Sequence, residues 1–150
     1  MLLSGPQINQ QAAHSILLEL HISKQKNPTQ EQLAELMAYP KNTPLVMLNI
    51  LKFRLKTEKG DQTGQEAYAS YFEKAAPFVA KSGAKLIWKG KVASTVIGDS
   101  QNQPDLVFLV EYQSVSDFLE MIANPEYQKI THDRTIALEY GGLIACQTEL

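Results

Sequence analysis

From Pro44 onward, apolar runs alternate with amphipathic stripes in the order β-α-β-β-α-β. Leu45 to Phe53 (LVMLNILKF) is almost wholly apolar, as expected of a strand covered on both faces. Lys56 to Gly64 is a polar, glycine-punctuated loop. Tyr68, Tyr71, Phe72, Ala75 and Val79 then recur at helical spacing. Asp61 and Glu66 stand early in this helix and Lys74 and Lys81 late, as the helix dipole prefers. Pro77 predicts a kink, and Gly83 a left-handed cap. Leu86 to Ile97 reads as one long strand with a bulge at Gly90, and Gly98 to Gln103 as a hairpin loop. Leu106 to Tyr112 (LVFLVEY) returns as a third strand. Ser114 with Asp117 caps a helix with Val115, Phe118, Leu119 and Ile122 inward. Asn124-Pro125 interrupts it and starts a second helical segment, with Tyr127, Ile130, Arg134 and Leu138 on one face. Gly141-Gly142 reads as its end, and Leu143 to Thr148 as the last strand.

Before Pro44 the pattern is weaker. Ala12, Ile16, Leu17 and Leu20 fall at helical spacing, although Ser15 to Ile22 is also compatible with a strand. Asn27-Pro28 offers one helix start and Thr29 with Gln32 a competing capping box. In either register Leu33, Leu36 and Met37 form a short apolar stripe that stops at Pro40. The expected organisation is a helical N-terminal extension over residues 1–43 and a main domain over residues 44–150.

The element order is the split βαβ of an α+β, ferredoxin-like fold: a four-stranded antiparallel sheet with two helices on one face. In the first strand, Leu45, Met47, Leu51 and Phe53 point one way and Val46, Leu48 and Ile50 the other. One set faces the helices, so the other requires a second layer. The extension is one supplier. A second subunit, joined sheet to sheet in a dimeric α/β barrel enclosing a cavity, is the symmetrical one.

Composition narrows the function classes. The chain has 150 residues with 14 basic and 16 acidic side chains and no block of like charge, which indicates no nucleic-acid partner. No signal peptide or membrane-length apolar run is evident, and the lone Cys146 excludes an internal disulfide, so a cytoplasmic protein is expected. His14 and His21 are seven residues apart with no third ligand spaced to join them, so no metal or cofactor site is expected. There is no GxSxG, HExxH, CxxC or GxGxxG.

Met47-Leu48-Asn49-Ile50-Leu51-Lys52-Phe53 resembles the MLNLLKF strand of domain-of-unknown-function family thirteen-thirty, within the dimeric α/β-barrel superfamily. Matching segments follow in order: Asn27-Pro28-Thr29, Tyr68 to Tyr71, Trp88-Lys89-Gly90, Val110-Glu111-Tyr112, Pro125-Glu126-Tyr127 and Arg134 to Leu138. Many members carry Pro-His before the arginine matching Arg134, where this chain has His132-Asp133, so the resemblance implies no imidazole role there. It implies the fold and the homodimer. Cofactor-free monooxygenases, lactone isomerases and haem-dependent enzymes of the superfamily are analogies of fold only.

The candidate pocket residues are Asn49, Glu111, Arg134, Trp88, Tyr127 and Lys52. An amide in so apolar a strand needs partners, since burying it unpaired costs roughly 1–3 kcal/mol. Asn49 therefore either orients an oxygen of a ligand or bonds a neighbouring loop or subunit. Strand alternation groups Glu111 with Val107 and Leu109. If Phe108 and Tyr112 pack on the helices, Glu111 faces the cavity beside Asn49, as a base of raised pKa or as half of an ion pair. Arg134 either clamps a carboxylate or phenolate, pairs with Glu111, or snorkels. Trp88 is a cavity wall or core, Lys52 is solvated or greets an anion, and Tyr68 and Tyr71 are packing groups with polar tips. Cys146 is expected to be buried. The expected function is binding of a small, largely apolar molecule, with a cofactor-free monooxygenase- or isomerase-like activity as one form of it. The alternatives are a non-catalytic binding or stress-associated dimer and a structural dimer with a filled barrel.

Overall fold

Nine residues without glycine or proline, most of them β-branched, leucine or aromatic, make Leu45–Phe53 (β1) an interior strand. The computed structural model describes residues 25–149. Helix α1 (Gln30–Ala38) precedes β1, and α2 (Gly64–Lys81) follows it. Then come β2 (Lys85–Lys91), a 3₁₀ turn at Ser100–Asn102, β3 (Leu106–Tyr112), α3 (Val115–Ala123), α4 (Pro125–Gln128), α5 (Thr131–Ala137) and β4 (Leu138–Cys146). The strand order is β2-β3-β1-β4 with every neighbour antiparallel, the ferredoxin-like α+β arrangement.

Leu45, Met47 and Leu51 of β1 and Leu106, Phe108, Val110 and Tyr112 of β3 are buried under Tyr68, Tyr71 and Ala75 of α2 and Val115, Phe118 and Met121 of α3. Along β3 buried and half-buried positions alternate without a break, the mark of a sheet covered on one side. Val46, Leu48 and Ile50 point to the opposite, open face. No second layer covers that face among the described residues.

Capping accounts for the helix starts. Thr29 and Gln32 form the capping box of α1, which settles the two competing registers in favour of Thr29. Thr63 and Glu66 do the same for α2, leaving Asp61 in the loop, where its side chain accepts from Thr57 Oγ1 at 2.8 Å. Gly83 takes φ +80° after α2, as a left-handed cap requires. α1 buries no residue fully, but Leu36 and Tyr39 pack against the core from the helix side. The Lys41 carbonyl also accepts from Ser116 N at the start of α3. The predicted element around Ala12 to Leu20, with His14 and His21, lies outside the described residues.

Three expectations are corrected. The long strand from Leu86 to Ile97 stops at Lys91, because β3 begins at Leu106 and offers no partner beyond one further bond, from Val92 N to Asp105 O. Val96 and Ile97 are consequently 89% and 95% exposed. The irregularity in β2 falls between Leu86 and Trp88, not at Gly90. Finally, Gly141-Gly142 does not end a helix: α5 ends at Ala137, and β4 runs from Leu138 straight through both glycines. Glycine at 141 serves close approach rather than a turn. A Cβ there would sit 2.7 Å from Leu138 Cδ1 and 2.8 Å from Arg134 Nη2.

Candidate functional site

Directly opposed residues in an antiparallel pair share a face, so the register fixes where each candidate points. Asn49 opposes Phe108 on one side and Leu143 on the other, which places it on the helix face. Glu111 opposes Val46, on the open face. The expectation that Glu111 would stand beside Asn49 is therefore wrong. Phe108 and Tyr112 do pack on the helices, but Asn49 shares their side of the sheet, one strand over. The same geometry removes the proposed Glu111–Arg134 pair. Trp88 opposes Leu109 on the open face, 55% exposed, with its ring against Gly90, so it is no wall of a cavity holding Asn49. Lys52 is half-buried, and its Nζ donates to the Gln103 carbonyl at 3.0 Å, tying the 3₁₀ turn to the sheet. Tyr140, opposite Lys52, does likewise through its hydroxyl to Asn102 O at 2.8 Å. Cys146 is only half-buried, its thiol directed at Ile144 O at 3.7 Å.

The structure brings Asn49, Tyr127 and Arg134 together with Tyr68 and Tyr71. All five line one cleft of about 1530 Å³ that runs between the sheet and the helices and round the β4 edge onto the open face at Ile50 and Ile144, walled also by Leu33 and Leu36 of α1 and by Phe118 and Met121 of α3. Its lining continues past β4 to Ile144 and Cys146. The shell is mostly aliphatic and aromatic, so the polar groups in it stand out.

Tyr71 projects from α2 and Tyr127 from α4, and their hydroxyls meet at 2.6 Å. Tyr68, one helical turn from Tyr71, stacks against it at 5.4 Å between centroids and against Phe53 at 5.6 Å. Burial pushes both α2 tyrosines well above the ordinary phenol value; for Tyr71 the neighbouring Tyr127 adds to the rise, while Arg134 offsets part of it at Tyr68. These phenols are neutral O–H groups at physiological pH.

Arg134 reaches the cleft from α5, in the space Gly141 leaves. Its Nη1 donates to the Lys26 carbonyl, and its positive charge opposes the rise of the neighbouring Tyr68 phenol. The backbone just before α1 is held to the same place by Gly141 N, which donates to Gln25 O at 3.1 Å. Among the described residues Arg134 has no carboxylate partner. Asn49 Nδ2 donates to Met47 O at 3.2 Å, two residues back on its own strand, and its Oδ1 accepts from no described residue. An amide and a guanidinium with unspent hydrogen-bonding capacity thus face an apolar space.

Sequence reasoning missed Tyr68 and Tyr71 as part of this cluster. The available signal was that a phenol on the buried stripe of a helix needs a polar partner, and Tyr127 and Arg134 share the next helical stripe.

The model of the family described as Domain of unknown function (DUF1330) matches residues 58–146. Among solved structures, the RPA0582 protein of unknown function from Rhodopseudomonas palustris is 33% identical, with 85% of this chain and 99% of that chain covered and a TM-score of 0.80. The methylated form of that protein gives 34% identity, coverage of 83% and 94%, and a TM-score of 0.78. A dimeric protein of unknown function and ferredoxin-like fold from Bacteroides fragilis is a remote likeness, 12% identical over 73% of this chain and 100% of that one, at a TM-score of 0.45. No curated protein matches the chain significantly. A family match across most of the chain, joined by a third of the residues shared with a structure superposed over nearly its whole length, makes this chain a member of the DUF1330 family.

Proposed function

We propose that the protein binds a small, largely apolar molecule in the cleft between its helices and its sheet, and that it works as a homodimer joined through the open sheet face. The observation that carries the first part is the placement of Asn49, Arg134 and the hydroxyls of Tyr68, Tyr71 and Tyr127 in a cleft whose surface is mostly apolar, with further polar side chains such as Gln32, Glu35, Asp99 and Gln128 also on its lining. A few convergent polar groups in an apolar concavity are the usual composition of a ligand site. The second part rests on Leu48, Leu109 and Trp88, which lie in register across three strands of a face with no cover among the described residues.

Native mass spectrometry of freshly purified protein, before and after denaturation, tests both parts. The expected spectrum is a dimer carrying an additional small mass that denaturation releases. Asn49→Ala should lose that mass while remaining a folded dimer. A monomer would remove the second part of the reading. An empty wild-type protein that also takes up no added apolar compound would remove the first.

A further inference from the structure

A cation in an apolar cleft is costly unless something balances it. Arg134 has five N–H donors, and among the described residues its hydrogen bond goes to an uncharged group, the Lys26 carbonyl, with the Tyr68 phenol beside it. Among the described residues no acid pairs with it. α2 presents Tyr68 and Tyr71, which burial keeps protonated, α4 presents Tyr127, and β1 presents Asn49. Among the described residues two carboxylates border the cleft, Glu35 of α1 and Asp99 of the 3₁₀ turn; both are exposed, and the second caps its own turn through Gln101 N. Glu111, the carboxylate that the sequence suggested as its counter-ion, is on the other side of the sheet.

We propose that the ligand of this cleft is an apolar molecule bearing one anionic oxygen group, a carboxylate or an ionised phenol or enol, bound as the anion against the Arg134 guanidinium. This rests on the cleft being a binding site and adds its charge selectivity. The guanidinium supplies the positive charge and two parallel N–H donors, a pairing that suits oxygen anions. Asn49 and the phenolic O–H groups supply neutral polar contacts, and the aliphatic and aromatic shell takes the body of the molecule. Gly141 is a positioning residue for this contact. Any side chain there enters the space of Nη2 and of the buried Leu138 Cδ1, and the arginine, the more flexible of the two, is the one expected to turn away.

The test compares two pairs of probes that differ in charge but little in shape: 4-nitrobenzoate against 4-nitrobenzamide, and 4-nitrophenolate against 4-nitroanisole. Affinities are measured by calorimetry on the full chain at a pH where the first of each pair is ionised. The wild type is expected to bind at least one anion about tenfold or more tighter than its neutral counterpart, the scale of a charged hydrogen bond in a shielded site. Whichever pair shows the preference identifies carboxylate or phenolate as the natural group. Arg134→Gln should abolish the preference by weakening the anion alone, and Arg134→Lys should keep part of it. Gly141→Ala should reduce the preference with Arg134 still present, which loss of the charge alone does not explain. Circular dichroism checks that each variant is folded, and the lysine variant serves if the glutamine variant is not. If the neutral probes bind as well as the anions and Arg134→Gln changes neither, the anion proposal falls while the cleft remains a binding site. If no probe binds the folded wild type, both readings fall together.

Discussion

At the scale of single residues, the tyrosine pair is the most exacting contact in the core. Tyr71 and Tyr127 are both buried, and each hydroxyl satisfies the other at 2.6 Å. Removing one leaves the other without its partner in a shielded place, at a cost of about 1–3 kcal/mol, whereas removing both leaves two phenyl rings that pack acceptably. Tyr71→Phe and Tyr127→Phe should therefore each destabilise the protein, and the double variant should lose clearly less than their sum. A double-mutant cycle from urea denaturation measures this. Additive losses would mean that the hydroxyls do not meet. The same burial makes stability sensitive to alkali. Tyr68, Tyr71 and Tyr112 are all pushed above the ordinary phenol value, chiefly by desolvation. In the unfolded chain they ionise near pH 10, while in the folded protein they keep their protons, so above that pH the folded state holds more protons. Their contribution is complete below about pH 10 and is lost as the pH rises further, by up to about 1.4 kcal/mol per pH unit for each tyrosine. The urea midpoint should be flat to about pH 9.5 and fall steeply beyond about pH 10. A midpoint still flat at about pH 11 would contradict the buried, neutral assignment.

At the scale of elements, what was legible in the sequence was whatever a local signal determines. The apolar run LVMLNILKF could only be an interior strand, and β1 has the expected bounds. Stripes of period 3.6 located α2 and α3, and Ser114 with Asp117 marked the start of α3. Elements went astray where a local signal was overruled by a contact distant in sequence. Gly141-Gly142 carries the composition of a helix stop, yet β4 passes through it because pairing with β1 claims the segment from Leu138 onward. Gly141 answers to the Leu138 and Arg134 side chains, several residues earlier, which no propensity scale reports. Val92 to Ile97 has strand composition and no strand, for want of a neighbour. The candidate site was half legible for the same reason. Asn49 and Arg134 were conspicuous as polar residues on apolar stripes, and the cleft contains both. The error over Glu111 came from judging two strands separately. Alternation gives the two faces of each strand, but only the register between β1 and β3 says which faces coincide.

At the scale of the whole molecule, the sheet has one dressed side and one bare one, and the bare side has an order of its own. Ile144, Leu48, Leu109 and Trp88 stand in one row across β4, β1, β3 and β2; Gly142, Ile50, Val107 and Gly90 form the next. A third row, with Cys146, Val46, Glu111 and Lys85, turns polar toward the β2 edge, where Glu111 and Lys85 oppose one another. An apolar centre with a polar margin is the composition of an interface, and a face used against its own copy must be self-complementary about a two-fold axis. Leu109 sits inside the first row, flanked by Leu48 and Trp88, so a carboxylate there would be carried into the middle of any pairing. The wild type should sediment as a dimer. Leu109→Glu should weaken association by about 100-fold or more and run as a monomer at micromolar concentration, with its helical circular dichroism retained because the residue takes no part in the helix-side core. Glu35→Gln, on α1 at the cleft, should leave the dimer untouched. If Leu109→Glu stays dimeric, the two copies meet elsewhere, and the open face then needs another cover. If the variant instead unfolds, the face is part of the stability of the folded chain itself, as in dimers whose subunits do not persist alone.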